Sequence, residues 1–80
     1  MNARTFIRKT IFMQKTVKKF GKKVREIRLS KKMSQGDVAK ILSVSPTYIS
    51  SIERGQRNPS LITMEKIAKA LKIKIDELIK

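Results

Sequence analysis

The 80-residue chain contains no cysteine, no histidine and no tryptophan. Without cysteine there is no disulfide staple, and without cysteine or histidine there is no thiolate or imidazole metal site. The missing histidine also removes the side chain on which general acid–base catalysis draws first. Acids are scarce, with 6 Asp and Glu against 20 Lys and Arg, and they form no convincing catalytic pair. No catalytic residue, no metal and no cofactor are therefore expected. Aromatic residues make up 5% of the chain while hydrophobic residues make up 40%, so the core must be aliphatic. Apolar stretches such as Ile11-Phe12-Met13 are far shorter than the roughly 20 residues of a membrane span. What is left is one small domain with a thin core, for which association is a common remedy.

The formal net charge of +14 calls for an anionic partner: nucleic acid, a membrane surface or an acidic protein. Residues 1–32 carry 12 basic groups against Glu26 alone, whereas residues 33–80 carry 8 against 5 acids. Residues 1–25 lack acids, as transit peptides do, but Arg8 and Lys9 interrupt any signal-like apolar region. Residues 1–16 are read as a basic N-terminal arm and residues 17–80 as the folded domain. The arm is not a featureless solubilising tail, because its charges alternate with Phe6, Ile7, Ile11, Phe12 and Val17. Met13 is an alternative start of the chain. There is no internal repeat and no Gly/Ser linker.

Met13, Val17, Phe20, Val24 and Ile27 fall at steps of four, three, four and three, the apolar stripe of an amphipathic helix. A first helix is expected from about Val17 to Ser30, with a short strand competing with helix over the β-branched and aromatic residues before it. Ser34 followed by Asp37 resembles a capping box, opening a second helix from Gln35 to Leu42 that buries Val38, Ala39, Ile41 and Leu42. Ser45 and Pro46 open a third helix, and Gly55 supplies the left-handed residue that stops it. Ser60 caps a fourth, with Leu61, Met64, Ile67, Ala68 and Leu71 as its buried stripe. A fifth runs from Ile75 to Ile79, with Asp76 and Glu77 at its positive end.

Two short helices joined by the Ser43-Val44-Ser45 turn must cross steeply, with Ala39 small enough for a close approach. Burial of Val38, Leu42, Val44, Ile49 and Ile52 leaves Thr47, Ser50, Ser51 and Arg54 on the outer face of the third helix. Such a helix start, lined with small hydroxyls, fits a major groove about 12 Å wide.

The block closely resembles the helix-turn-helix of the Cro/repressor (xenobiotic-response-element) family, from about Phe20 to Leu78. The resemblance rests on Met33-Ser34-Gln35, Val44-Ser45, Tyr48-Ile49-Ser50, Ile52-Glu53-Arg54-Gly55, Arg57-Asn58-Pro59-Ser60-Leu61, Ala68-Lys69-Ala70-Leu71 and Asp76-Glu77-Leu78. It implies an all-α, five-helix, lambda-repressor-like domain with a basic N-terminal extension. Three positions depart from the pattern. Ser43 replaces the usual turn glycine, Gly36 stands where acids are frequent, and Lys72 and Lys74 replace a Gly and a Ser between the last two helices.

The resemblance implies DNA base contacts at Pro46, Thr47, Ser50, Ser51 and Arg57. Pro46 offers apolar contact only, while Arg57 matches a base-reaching position of restriction–modification controller proteins and has the fork for guanine. It implies phosphate contacts at Gln35, Tyr48 and Arg54, and a structural ion pair between Arg28 and Glu53. Each assignment has a plainer rival: Tyr48 as core rim, Ser50 and Ser51 as solvated helix residues, Arg57 as surface charge. Met33 and Met64 read as core filler. Ile75, Leu78 and Ile79 either form a dimer seam or close the monomer core.

From Met33 to Ser60 there are three bases and two acids, so long-range attraction to DNA is left to the first helix and the arm. The implied function is a dimeric, sequence-specific, cytoplasmic transcriptional regulator of bacterial or phage type on a near-palindromic operator. A restriction–modification controller, an operon repressor and an antitoxin all fit. The alternative class is a protein-binding adaptor on the same fold. Expected partners are double-stranded DNA and a second copy, with no membrane; RNA polymerase or a toxin remains unassigned.

Overall fold

Five helices follow one another along the chain: α1 (Ala3–Ser30), α2 (Gln35–Leu42), α3 (Pro46–Glu53), α4 (Leu61–Ala70) and α5 (Ile75–Ile79). The computed structural model describes residues 3–79, with side chains from Thr16 onward, and there is no strand among the described residues. The first helix starts at Ala3 rather than near Val17, and the competing strand does not form. No proline or glycine interrupts the chain between Ala3 and Phe20. Extending an existing helix carries no nucleation cost, and β-branched residues weaken it by only a few tenths of a kcal/mol each. The side chains of the arm through Lys15, and Met13 of the apolar stripe, lie outside the described residues.

Serine hydroxyls set three of the helix starts. Ser34 Oγ accepts the Asp37 N–H (2.9 Å) while the Ser34 N–H donates to Asp37 Oδ2 (2.8 Å), the complete capping box. Ser45 Oγ accepts from the Tyr48 N–H (3.1 Å), and Ser60 Oγ from the Thr63 N–H (3.2 Å). The Asp37 carboxyl is held below its ordinary range, first by the Ser34 backbone and then by the Ser34 hydroxyl.

Four helices end in the same way. Met33, Val44, Gln56 and Ile73 each donate a backbone N–H to the carbonyl five residues back, at 2.9–3.1 Å. The residue before each closes a tighter bond to the carbonyl three residues back, the Schellman arrangement. That residue is left-handed in every case: Lys32 (φ 57°), Ser43 (φ 58°), Gly55 (φ 71°) and Lys72 (φ 57°). Only one of the four is glycine, so three carry a side chain in a conformation costing about 1 kcal/mol or more. Ser43 and Lys72 are two of the positions where the family pattern has glycine.

The core gathers Phe20 and Val24 of α1, Val38 and Ala39 of α2, Ile49 and Ile52 of α3, Ile67, Ala68 and Ala70 of α4, Leu71, and Leu78 of α5. Met33 and Met64 pack against it. Three residues expected inside are outside: Ile41 is 59% exposed, Val44 36% and Leu61 63%. At about 100° per residue, Ile41 points well away from the face shared by Val38, Ala39 and Leu42. Val44 sits in the turn that follows α2, and Leu61 opens α4 beside the equally exposed Ile62. No helix among the described residues is long and apolar enough to cross a membrane.

Candidate nucleic-acid interface

The scaffold behind α3 is built by a glycine contact and a buried ion pair. At Gly21 of α1, an added Cβ would lie 2.1 Å from the Ile52 carbonyl oxygen and 2.9 Å from that of Glu53. Only glycine lets α1 come this close to the last turn of α3. One turn earlier, Lys18 seats on Gly55, where an added Cβ would lie 2.5 Å from its Cγ. A glycine inside a basic amphipathic helix was the signal for this contact, and sequence reasoning passed over it.

Arg28 of α1 reaches Glu53 through two hydrogen bonds, Nε to Oε2 at 2.7 Å and Nη2 to Oε1 at 3.0 Å. Its Nη1 donates to the Met33 carbonyl at 2.8 Å. Gln35 Nε2 donates to the same Glu53 Oε1 at 3.1 Å. Arg28, Gln35 and Glu53 therefore lock α1, the start of α2 and the end of α3 together, with no buried polar side-chain atom left unpartnered among the described residues. The hydrogen bonds that Arg28 donates to Glu53 raise its pKa, outweighing the opposing effect of burial. Gln35, assigned to phosphate, thus has part of its amide engaged inside the protein.

On the outer side of α3, Pro46, Thr47 and Arg54 are exposed and Ser50 is half-buried. Arg54 Nε turns back to the Ser50 carbonyl (3.3 Å), leaving the end of its guanidinium outward. Ser51 departs from the expected base-contacting group: it is 9% exposed, and its hydroxyl donates to the Tyr48 carbonyl at 2.7 Å. The turn of the helix carries it to the inner side, and its donor is already used. Tyr48 is half-buried against the core, and its ring lies under Arg57, whose Cζ is 5.1 Å from the ring centroid. Neither propensity nor spacing signals that contact.

Exposed positive charge runs along α1 and the turn after it through Lys18, Lys19, Lys22, Arg25, Lys31 and Lys32. Lys18 meets Gly55 beyond α3, while Lys19 lies on the other side, by Phe20, Met64 and Ile79. The acids are spread out, and no group of three or more among the described residues is placed to hold a metal ion. Of the residues assigned to a dimer seam, Leu78 is 2% exposed and belongs to the monomer core, so it is closed to a partner. Ile75 is half-buried and Ile79 is 57% exposed. Ile79 borders an apolar cleft with Phe20, Met64 and Leu78, and Leu61 stands one turn before Met64.

The helix-turn-helix family profile matches residues 24–78. The control protein C.BamHI of Bacillus amyloliquefaciens is 54% identical over 61 residues, covering 75% of each chain. The crystal structure of the restriction–modification controller protein C.AhdI from Aeromonas hydrophila matches with a TM-score of 0.75 and 42% identity, over 78% of this chain and 94% of that one. C.Esp1396I, solved as a tetramer in complex with its natural 35 base-pair operator, matches with a TM-score of 0.69 and 34% identity, over 81% and 95–96% of the two chains. The chain belongs to the helix-turn-helix family, and within it is similar to restriction–modification controller proteins.

Proposed function

We propose that this protein is a transcriptional regulator of the controller type, binding a near-palindromic operator as a homodimer with α3 in the major groove. The observation that carries the reading is the two-sidedness of α3. Its inner side is fixed by Ile49, Ile52 and the Arg28–Glu53 pair, while Pro46, Thr47 and Ser50 are presented outward at its N-terminal end. Thr47 and Arg57 read base edges, Ser50 contributes a further hydroxyl, and Pro46 offers apolar contact to a thymine methyl. Arg54, Tyr48 and the N-terminus of α2 at Gln35 face phosphates, which position the helix without reading sequence. Ser51 supports the helix from within. The protein is a binder rather than an enzyme: it has no histidine or cysteine, and Asp37 and Glu53 are engaged in a cap and an ion pair.

Residues 1–16 serve as a basic arm and residues 17–80 as the DNA-binding domain, with α1 running through both. The arm and α1 supply sequence-independent attraction, since the reading element itself is nearly neutral. The seam between two copies uses Ile79, Ile75 and the exposed Leu61, placing the two copies of α3 about 34 Å apart.

Selection of bound duplexes from a random pool tests the reading, followed by titration of the selected and scrambled duplexes at matched salt. A near-palindromic site bound at least about a thousand-fold more tightly than scrambled DNA is expected. Equal binding of both would reject the reading and favour the protein-binding adaptor. Removing residues 1–19 weakens binding on all duplexes alike and flattens its salt dependence; an unchanged salt slope rejects the arm's role.

A further inference from the structure

Arg57 stands on a loop that is held at both ends. Gly55, left-handed at φ 71° and seated on Lys18, starts the loop, and the buried Pro59 closes it. Among the described residues the Arg57 guanidinium makes no hydrogen bond and no ion pair; its contact is with the Tyr48 ring, 5.1 Å from the centroid. The ring itself is well anchored. Tyr48 packs against the core, its N–H donates to Ser45 Oγ (3.1 Å), and its carbonyl accepts from the buried Ser51 hydroxyl (2.7 Å).

A guanidinium has two kinds of surface. Its flat face is attracted to an aromatic ring, while its N–H donors radiate in the plane and stay free for a pair of acceptors. We propose that Tyr48 is a positioning residue for base recognition, its ring being the platform that holds Arg57 extended and edge-outward before DNA arrives. The inference rests on the reading of Arg57 as a base-contacting residue and names what makes that contact selective. The ring carries the effect, so the Tyr48 hydroxyl is dispensable for it. Ser51 acts one step further back, by fixing the backbone of Tyr48.

The full-length protein and its Tyr48→Phe, Tyr48→Leu, Arg57→Ala and Tyr48→Leu/Arg57→Ala variants test this with two measurements. The first is NMR of the free protein, in which ring currents displace the Arg57 δ-CH2 and ε N–H signals upfield. The second is discrimination between the selected operator and duplexes altered at single base pairs. The displacement is expected in the parent and in Tyr48→Phe, and is lost in Tyr48→Leu. Arg57→Ala relaxes preference at one base pair per half-site by about five- to 150-fold. Tyr48→Leu relaxes preference at that same base pair by about two- to five-fold, Tyr48→Phe restores it, and the double variant loses no more there than Arg57→Ala. If Tyr48→Leu lowers affinity on every duplex alike and leaves the preference at that base pair intact, Tyr48 acts only as a phosphate contact or a packing residue, and that result overturns the proposal. Undisplaced Arg57 signals in the parent overturn it as well. If Arg57→Ala relaxes a base pair and Tyr48→Leu does not, base reading by Arg57 stands and the platform alone falls. If Arg57→Ala relaxes none, both fall.

Discussion

Replacing Glu53 with alanine isolates the energetics of the junction beneath α3. Arg28 is 6% exposed and Glu53 8%, so both charges sit out of water. The substitution removes the acceptors of Arg28 Nε and Nη2 and leaves the guanidinium with the Met33 carbonyl. Stripping one partner from a buried pair costs about 3–5 kcal/mol, because the remaining charge stays desolvated. A domain of this length has a total stability on the order of 4–12 kcal/mol. The Glu53→Ala chain is therefore expected to lose about a quarter or more of its stability. With a urea slope of about 1 kcal/mol per molar, its unfolding midpoint falls by about 3 M or more. Removing both charges at once, as Arg28→Met with Glu53→Leu, takes away the desolvation cost along with the attraction, and should leave the chain within about 1 kcal/mol of the parent or above it. Urea denaturation of the parent, Glu53→Ala, Arg28→Met, Glu53→Leu and the double variant measures the single loss and closes the cycle. A loss below about 1 kcal/mol in Glu53→Ala would mean that the pair behaves as a solvated surface bridge. A double variant as damaged as either single one would equally refute the reasoning.

Gly21→Ala should destabilise, despite the better helix propensity of alanine, because its Cβ meets the Ile52 carbonyl at 2.1 Å. A net cost of about 2 kcal/mol lowers the melting temperature by about 8–16 °C, and an unchanged melting curve would show that α1 can draw back freely. Lys32→Gly, Ser43→Gly and Lys72→Gly together relieve three left-handed side-chain positions. After the greater unfolded-state freedom of glycine is deducted, the triple variant gains about 1–2 kcal/mol in calorimetry, and a lower melting temperature would contradict the strain. Asp37, its pKa lowered by Ser34, stabilises the fold fully above the ordinary carboxyl value of about 3.9, and that contribution is lost as pH falls through its lower folded value. Asp37→Asn is thus less stable than the parent at neutral pH, and the two stability curves converge in acid; curves that stay parallel would exclude the linkage. Thr47→Ala should relax preference at particular base pairs in a duplex competition, whereas a uniform loss would argue against base reading.

What was legible in the sequence was local chemistry. Ser34, Ser45 and Ser60 announce helix starts because a hydroxyl next to an apolar run has one obvious use, and each caps its helix. Gly55 likewise announces a stop. Facts that depend on how short helices are rotated against one another were not legible. Ile41 and Ser51 exchange the sides expected of them, since an eight-residue helix has too few apolar positions to define its face sharply. Lys32 and Lys72 hide left-handed stops because nothing in a lysine signals positive φ. The extent of α1 was missed because propensity was weighed without the small cost of continuing a helix already formed. Within the candidate site, Arg28 and Glu53 are joined across 25 residues, and their pairing was read from family pattern, not from either neighbourhood.

The Schellman ends held by side chains have a consequence for how this protein can change. Lys32, Ser43 and Lys72 lie at junctions between helices, whereas Thr47, Ser50 and Arg57 lie on the outward strip and the loop beyond it. With Thr47, Ser50 and Arg57 reading bases as proposed, heat resistance and operator choice are written on separate sets of positions. A lineage, or a laboratory selection, can harden the scaffold by turning the junction residues to glycine and afterwards re-target the strip, with neither step undoing the other.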